Sequence, residues 1–261
     1  MVEASESPAC SPESPPASPA RTAVVLGVLA LQGAFEEHQK LFDRLQRPNV
    51  RVVQVRTPSE LSSCSALVIP GGESTTLRII AQADNGAMME ALKQFVHADK
   101  KPVWGTCAGA ILLSSEVISG QDVPRNGERE PARDKYGEFL GGVDVRTSRN
   151  FFGRQKDSFE APLVGCGAYA DIASGFNAVC IRAPAILQPL SDDVEVIAHL
   201  PPAAADPSSP KATSDKPVIA AASQGHLFIT IFHPELTEDA RFHAFFLDKF
   251  VLPRTGGAAP R

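Results

Sequence analysis

The sequence predicts an α/β fold in which a parallel β-sheet is covered by helices and extended by further strands. Apolar, β-branched runs bounded by turn residues are typical of strands buried on both faces, and they recur through the first half of the chain. Helical patterns alternate with these runs, which indicates parallel strands joined by crossover helices. In the second half the strand patterns come closer together, which predicts antiparallel strands added to the parallel core.

The predicted strands of the first half are short apolar segments. They are "TAVVLGVLAL" from Thr22, "VRVVQV" from Val50, "SALVIP" from Ser65 and "KPVWG" from Lys101. The longest of these runs is about half of what a membrane-spanning helix needs, so no membrane association is expected. We therefore expect each segment to form one strand of the parallel sheet.

Helical patterns follow three of these strands. After the first strand, apolar residues and one histidine recur at spacings of three and four, as in a helix with one buried face. They are Phe35, His38, Leu41, Phe42 and Leu45. A helix through "STTLRIIAQA" and another over about 87–96 follow the third strand, and a further helix follows Cys107.

Five strand patterns lie between residues 142 and 236. They read "VDVRTS", "AVCIRA", "VEVIAHL", "VIAAAS" and "LFITIF", and we expect them to form the antiparallel extension. A last helix is predicted over about 238–251. Its apolar stripe is expected to pack into the core, and consists of Phe242, Phe245, Phe246 and Phe250.

Composition divides the chain into one domain and several polar segments. Residues 1–21 are rich in Pro, Ser, Ala and Glu, and predict a disordered tail, with a docking or phosphorylation segment as the alternative. The globular domain is predicted over 22–252, with a flexible C-terminus at 253–261. Two polar stretches, near 121–138 and 201–217, read as exposed insertions.

Charge and cysteine content exclude several classes of protein. The net charge of −5 provides no broad cationic surface, so nucleic acid is not an expected partner. The cysteines are odd in number and lack any Cys-x-x-Cys pair, which argues against structural zinc and a disulfide framework; they are Cys10, Cys64, Cys107, Cys166 and Cys180. The N-terminus has no basic segment followed by an apolar one, so no secretory signal is predicted. A reducing, cytoplasmic compartment fits best, and nuclear entry stays open.

Cys107 stands where a predicted strand turns into a predicted helix. Gly105 and Gly109 flank it at two residues on either side, in "GTCAG". This is the pattern of a nucleophile elbow, with cysteine in place of serine. Aligned peptide dipoles at a helix N-terminus favour a thiolate. The alternative is a buried cysteine that acts as a small apolar residue.

His233 and Glu235 are the candidate base and its orienting carboxylate. They follow the predicted strand "LFITIF", and Pro234 between them favours an extended backbone at His233. In an extended chain both side chains would point to the same side, and a carboxylate beside an imidazole fixes its tautomer. Metal ligation is the competing interpretation, and no second ligand at a suitable spacing supports it.

The loop "IPGGESTT" also joins a strand to a helix. Its glycines allow a close approach to a ligand, and the N–H groups of Gly72 and Ala108 together would form an oxyanion hole. A plain loop with Ser74 or Thr75 as the helix N-cap is the alternative. A phosphate-binding loop is excluded because no lysine follows the glycines.

These motifs resemble a known family. "GTCAG" together with "FHPEL" is similar to class I glutamine amidotransferases. Five longer strings resemble the PdxT/SNO family, the glutaminase subunit of pyridoxal 5′-phosphate synthase. They are "GVLALQGAFEEH", "PGGESTT", "RNFFGRQKDSFEAPL", "IRAPAIL" and "FHPELTED". The resemblance spans about 23–251 and implies the three-layer, flavodoxin-like mixed sheet of that family, with helices on both faces.

The resemblance also implies an activity and a partner. L-Glutamine would be hydrolysed by a triad of Cys107, His233 and Glu235, and ammonia would pass to a PdxS-like synthase subunit, a (β/α)8 barrel, with no cofactor and no metal. The implied glutamine-binding residues are Gly72, Glu73, Ser74, Arg149, Ile181 and Arg182. Either arginine would suit the α-carboxylate, and a role for each in folding or in the interface is the alternative.

Two further functions stay open at this point: the glutaminase subunit of another amidotransferase, and a non-catalytic interaction subunit. The string "RNFFGRQ" argues against the first, and the intact Cys, His and Glu against the second. The segment "LALQGAFEEH" follows the first strand and is expected to face the synthase partner. His38 and Glu37 are the contacts expected there, with a solvated helix face as the alternative.

Overall fold

The computed structural model describes residues 23–119, 138–149, 151–152, 158–201 and 217–255. A large mixed β-sheet lies at the centre of these residues. The predicted tail at 1–21 lies outside the described residues, and so do the two predicted insertions except for single residues at their edges.

The strands of the described chain fall into one large sheet and one small one. In chain order they are β1 (Val24–Leu29), β2 (Val50–Val55), β3 (Ala66–Ile69), β4 (Val103–Thr106), β5 (Ser114–Ser119), β6 (Val143–Arg149), β7 (Phe159–Pro162), β8 (Val164–Gly165), β9 (Asn177–Cys180), β10 (Ala185–Pro189), β11 (Glu195–Leu200), β12 (Val218–Gln224) and β13 (Leu227–Thr230). The large sheet has the order β2-β1-β3-β4-β13-β12-β10-β6-β5, and β11 pairs with β12 on one side and with β8 on the other. β7 and β9 form the separate antiparallel pair.

Short helices connect and cover the strands. They are α1 (Phe35–Arg44), α2 (Pro58–Ser62), α3 (Ser74–Gln82), α4 (Ala87–Lys93), α5 (Ala108–Leu113), α6 (Ala170–Ala173), α7 (Arg241–Phe246) and α8 (Leu252–Thr255). Turns of π-helix continue α4 over Gln94–Ala98 and α7 over Leu247–Val251. The last helix thus begins three residues later than predicted and continues past the predicted domain end at 252.

The parallel part of the sheet contains all four strands predicted in the first half. β2, β1, β3 and β4 pair in parallel in that order. β13 then joins β4 in parallel and β12 in antiparallel orientation. The expectation that "LFITIF" belongs only to the antiparallel extension is therefore wrong, because β13 is the seam between the two parts.

The antiparallel extension also differs from the prediction at β9 and at β6, which pairs in parallel with β5. β10 pairs antiparallel with β6 and β12, and β11 pairs antiparallel with β12. β9, predicted from "AVCIRA" as part of this extension, pairs instead with β7 in the small sheet. An apolar run shows that a segment is buried, but it does not show which edge it pairs with.

Helices lie on both faces of the large sheet. α1 connects β1 to β2 in one direction, whereas α2 connects β2 to β3 in the other. Because parallel crossovers are right-handed, opposite directions put the two helices on opposite faces. α7 packs beside α1, and its Phe242 and Phe246 are buried as predicted, as is Phe250 in the following turn. The predicted mixed sheet with helices on both faces is confirmed.

The carboxyl ends of β1, β3, β4 and β13 lie at one edge of the sheet, because these strands are parallel neighbours. In open α/β sheets this edge is where ligands bind. The segments that leave it carry Gln32, the Gly71–Gly72 loop, Cys107 and His233. The candidate site is thus built from four neighbouring strand ends.

Candidate active site

Cys107 occupies a strained turn between β4 and α5. Its backbone has φ 46° and ψ −98°, a conformation that L-residues rarely adopt. The Cys107 N–H donates to the carbonyl oxygen of Thr230 at 2.8 Å, which ties the turn to the end of β13. The turn needs both flanking glycines. A Cβ on Gly105 would lie 2.5 Å from the backbone of Gly109, and a Cβ on Gly109 would lie 2.1 Å from the carbonyl oxygen of Ile69.

His233 and Glu235 form a pair, although not by the predicted backbone. Nδ1 of His233 lies 2.7 Å from Oε1 of Glu235. The chain does not stay extended here: Pro234–Leu236 is a turn of 3₁₀-helix, with Pro234 at its first position. The N–H of His233 donates to Val179 O at 2.8 Å, so the small β7–β9 sheet fixes the histidine backbone.

Hydrogen bonds on both sides keep the His233 imidazole protonated. Burial by itself lowers the pKa of His233, but hydrogen bonds from its ring to Cys107 and Glu235 outweigh burial and raise that pKa. Burial also acts against ionisation of Glu235, but the hydrogen bond from the His233 imidazolium and its positive charge keep the pKa of Glu235 below its ordinary value. Near neutral pH the site therefore holds an imidazolium between a cysteine sulfur and a carboxylate.

The glycine loop after β3 lies against the histidine. A Cβ on Gly71 would be 2.4 Å from Cε1 of His233, so only glycine fits at this position. Gly72 has φ +154°, and a Cβ there would be 2.3 Å from Oε1 of Gln32. Ala108 begins α5, so its N–H has no acceptor within the helix and is available to a ligand.

Glu73, rather than Ser74 or Thr75, is the N-cap of α3. Its carboxylate accepts from Thr75 N at 3.1 Å and from Thr76 N at 2.6 Å. Partial burial raises the pKa of Glu73, but these backbone hydrogen bonds outweigh it and lower the pKa. The alternative of a Ser74 or Thr75 cap is wrong, because the longer Glu73 side chain reaches the N–H groups of Thr75 and Thr76.

A pocket of about 140 Å³ opens beside Cys107. It is lined by Gly72, Glu73, Ser74, Cys107, Ile111, Arg149, Ile181 and Arg182. All six residues that the family resemblance assigns to glutamine binding are in this lining. Two guanidinium groups and one carboxylate beside a cysteine sulfur can bind an α-amino acid zwitterion whose side chain reaches the sulfur.

The two arginines of the pocket have different surroundings. Nη2 of Arg149 donates to Oγ1 of Thr75 at 2.9 Å and lies 3.9 Å from Oε1 of Glu73. Arg182 is exposed and has φ 47°, an uncommon conformation that often marks a functional position. Arg149 is thus fixed near the start of α3, while Arg182 lies on the open rim.

The sequence analysis did not predict three residues that lie at the site or behind it. Ile111 lines the pocket from α5, and Oε1 of Gln32 accepts from the Glu73 N–H at 3.0 Å. His38 was expected to contact a partner, and that expectation is wrong, because its side chain is fully buried behind Glu235. A signal for its burial was present, since His38 shares the helical spacing of Leu41 and Phe42.

The described residues contain neither a metal-site cluster nor a membrane-spanning helix. Across the described ranges, no three His, Cys, Asp or Glu side chains come together as a possible metal site. No helix in those ranges has the length and apolarity needed to cross a bilayer. The described cysteines, Cys64, Cys107, Cys166 and Cys180, are all free thiols.

The chain is similar over most of its length to known proteins that carry related names. The chain is 42% identical over 226 residues to pyridoxal 5′-phosphate synthase subunit Pdx2 of Plasmodium berghei, covering 87% of this chain and 94% of the relative. It is 42% identical over 229 residues to subunit PdxT of Herpetosiphon aurantiacus, covering 86% and 99%. A solved structure titled as a glutamine amidotransferase is 35% identical, with a TM-score of 0.64 over 85% of this chain and 97% of that one. The sequence model of the SNO glutamine amidotransferase family matches residues 28–252, and the chain is therefore a member of that family.

Proposed function

We propose that this chain hydrolyses L-glutamine to L-glutamate and ammonia, and supplies the ammonia to a PdxS-like synthase subunit that makes pyridoxal 5′-phosphate. The observation that carries the glutaminase assignment is the hydrogen-bonded series Cys107, His233 and Glu235 beside the pocket. The synthase assignment is supported by relatives at about 40% identity that are named pyridoxal 5′-phosphate synthase subunits.

Charged groups of the pocket suit the two ends of a bound glutamine. A guanidinium from Arg149 or Arg182 binds the α-carboxylate through paired N–H donors. Glu73 is the acceptor for the α-ammonium, which shares that carboxylate with the backbone N–H groups of α3. The side-chain amide then extends towards Sγ of Cys107.

The chemistry requires one nucleophile and one proton carrier. The Cys107 thiolate attacks the amide carbon, and the carbonyl electron pair moves to oxygen, where Gly72 and Ala108 N–H groups stabilise the oxyanion. As the C–N bond breaks, the His233 imidazolium gives its proton to nitrogen and ammonia leaves. A water molecule then loses a proton to His233 and attacks the thioester carbon, and the C–S bond breaks to release glutamate and restore the Cys107 thiolate beside the His233 imidazolium. Glu235 holds the imidazole in the required orientation throughout.

Partner dependence follows from the fate of free ammonia. Ammonia released into water is protonated and lost as a nucleophile, so we expect the isolated chain to be slow and the docked chain faster. The Gly71–Gly72 loop is the proposed switch, since glycines permit a peptide flip. A Gly72 N–H that points away from the oxyanion removes one donor, which costs roughly 3 kcal/mol or about a hundredfold in rate.

The test measures ammonia and glutamate release by the full-length chain, alone and with saturating PdxS-like partner. Cys107→Ser is the inactive control, and L-asparagine is the control substrate. Absence of ammonia in both conditions would overturn the glutaminase assignment. Formation of pyridoxal 5′-phosphate from glutamine, a pentose phosphate and a triose phosphate then tests the pathway, and ammonia release without this product would favour the subunit of another amidotransferase.

A further inference from the structure

Behind the catalytic carboxylate lies a buried group of polar side chains that the triad chemistry does not use. We call His38, His243 and Thr106 the rear cluster; all three are fully buried. Nε2 of His38 lies 3.3 Å from Oε2 of Glu235 and 3.2 Å from Oγ1 of Thr106. Nδ1 of His38 lies 2.9 Å from Nε2 of His243. The cluster thus joins α1, α7 and the end of β4 to the rear of Glu235.

The positions of the ring nitrogens select one arrangement of protons. If His38 carried its proton on Nδ1, its bare Nε2 would face the Glu235 carboxylate, and two acceptors would repel each other. His243 would then have to protonate Nδ1, which has no hydrogen-bond partner among the described residues, leaving a buried donor unpaired. With the protons on Nε2 of both rings, His243 donates to His38 and His38 donates towards Glu235 and Thr106.

The second carboxylate oxygen of Glu235 needs such a donor. Oε1 accepts from His233, whereas Oε2 is buried and makes no hydrogen bond of good angle with any described residue. The N–H of His38 is better aligned with Thr106, at a similar distance. A small rotation of the His38 ring transfers this N–H from the threonine hydroxyl to Oε2, which satisfies a buried charged oxygen.

Both histidines are uncharged in the folded protein. Burial is the largest cause and lowers the pKa of each imidazole to about 3, although the Glu235 charge acts in the opposite direction on His38. The aromatic surroundings are consistent with neutral rings: the ring centroids of His38 and His243 lie 5.4 and 5.0 Å from that of Trp104. The rear cluster therefore supplies a hydrogen-bond donor without supplying a charge.

We propose that His38 is a positioning residue that holds Glu235 from behind, and that His243 holds His38 in the tautomer this requires. The hydrogen-bonded series then runs from His243 through His38, Glu235 and His233 to Cys107. The proposal rests on the glutaminase function proposed above, because it concerns how the base of that reaction is oriented. His38 does not line the substrate pocket, so its loss should lower kcat and leave KM nearly unchanged.

The experiment compares His38→Leu with His38→Gln in the full-length chain. Leucine removes the donor, whereas the glutamine amide places an N–H near the position of His38 Nε2. With saturating PdxS-like partner, we expect His38→Leu to lower kcat by roughly tenfold or more, which is part of the 10²–10⁴-fold that general acid–base catalysis contributes. KM should stay within about twofold, and His38→Gln should recover most of kcat. Equal kcat in all three proteins, or equal loss in both variants, would overturn the proposal.

His226→Leu is the matched control. Nε2 of His226 bonds to Val96 O at 2.7 Å, away from the site, so this variant loses a histidine hydrogen bond and should keep its kcat. All assays are run below the lowest melting temperature of the set. If His38→Leu yields no folded protein, His243→Leu against His243→Gln decides in the same way, because glutamine keeps a donor towards Nδ1 of His38.

A second measurement separates this proposal from the proposed function. The rate at which iodoacetamide alkylates Cys107 is measured by peptide mapping on the isolated chain, and needs no glutamine. We expect slower labelling in His38→Leu and near-normal labelling in His38→Gln, since Glu235 must be held in place to keep His233 beside the sulfur. If the wild-type chain releases ammonia, and His38→Leu keeps the wild-type labelling rate and kcat, only the positioning role is refuted. If His38→Leu is labelled more slowly than wild type, but the wild-type chain never releases ammonia, only the glutaminase function is refuted.

Discussion

Two buried neutral histidines should make the folded protein sensitive to mild acid. Burial chiefly lowers the pKa of His38 and of His243 from 6.5 to about 3. Among the groups that face His38, Glu235 opposes this shift, and His243 and His233 add to it. Below about pH 6.5 the unfolded chain binds a proton at each position and the folded chain does not, so the free energy of unfolding falls as the pH falls from about 6.5 towards about 3.

The size of this effect follows from proton linkage. Each extra proton that the unfolded state binds lowers the free energy of unfolding by about 1.4 kcal/mol for every unit by which the pH falls. Between about pH 7.5 and about pH 5, each buried histidine should therefore lower the free energy of unfolding by about 2 kcal/mol. His243→Phe removes one of the two imidazoles that take up a proton on unfolding. The Phe42 and Trp104 rings, with centroids 4.7 and 5.0 Å from that of His243, already surround it with aromatic contacts. The loss of stability over this pH range should be about 2 kcal/mol smaller in the variant.

Urea unfolding at the two pH values measures this difference. Trp104 is the one tryptophan of the sequence and packs against His243, so its fluorescence reports on the region directly. Shifted groups common to both proteins, such as His233 and Glu235, cancel in the comparison. Phe242→Leu is the control: it alters the same helix without removing a titrating group, and should lower stability equally at both pH values. An identical pH dependence in His243→Phe and wild type would refute a neutral, buried His243.

Three further predictions concern the pocket itself. Cys107→Ser should abolish ammonia release while the melting temperature stays within a few degrees, because the substitution is nearly isosteric; normal release would remove Cys107 from the mechanism. Gly71→Ala places a Cβ 2.4 Å from Cε1 of His233, so kcat should fall at least tenfold, and full activity would show that the loop can move aside. Arg182→Gln should raise KM for glutamine by roughly 10–100-fold, the value of a charge-assisted hydrogen bond; an unchanged KM would assign the carboxylate to Arg149.

The parallel half of the fold was predictable because its signals are local. The run "ALVI" of β3 is buried at every residue, so it has no amphipathic pattern that could be mistaken for a helix. The elbow at Cys107 was predictable for a related reason: Gly105 and Gly109 are needed by contacts within the strand–turn–helix unit and across to Ile69. Where the close approach of two backbone segments permits only glycine, the glycine in the sequence indicates that geometry directly.

The remaining features depend on contacts between segments distant in sequence. β13 and β9 have equally apolar runs, yet one lies in the centre of the large sheet and the other in the small sheet. The Glu73 cap depends on which side chain reaches the first N–H groups of α3, and both Ser74 and Glu73 are compatible with the local pattern. The contact between His38 and His243 joins residues 205 positions apart. No local periodicity reports such a pairing.

The rear cluster accounts for how a buried carboxylate can serve an imidazolium. Glu235 is only 4% exposed, so a single hydrogen bond from His233 would leave its second oxygen without compensation. A lysine or arginine behind Glu235 would supply the missing donor, but its positive charge would also compete with His233 for the carboxylate and lower the pKa of the imidazole. A neutral imidazole supplies the donor alone, and burial at His38 keeps it neutral. The negative charge of Glu235 thus remains available to His233, which keeps its proton until the leaving nitrogen of the substrate takes it.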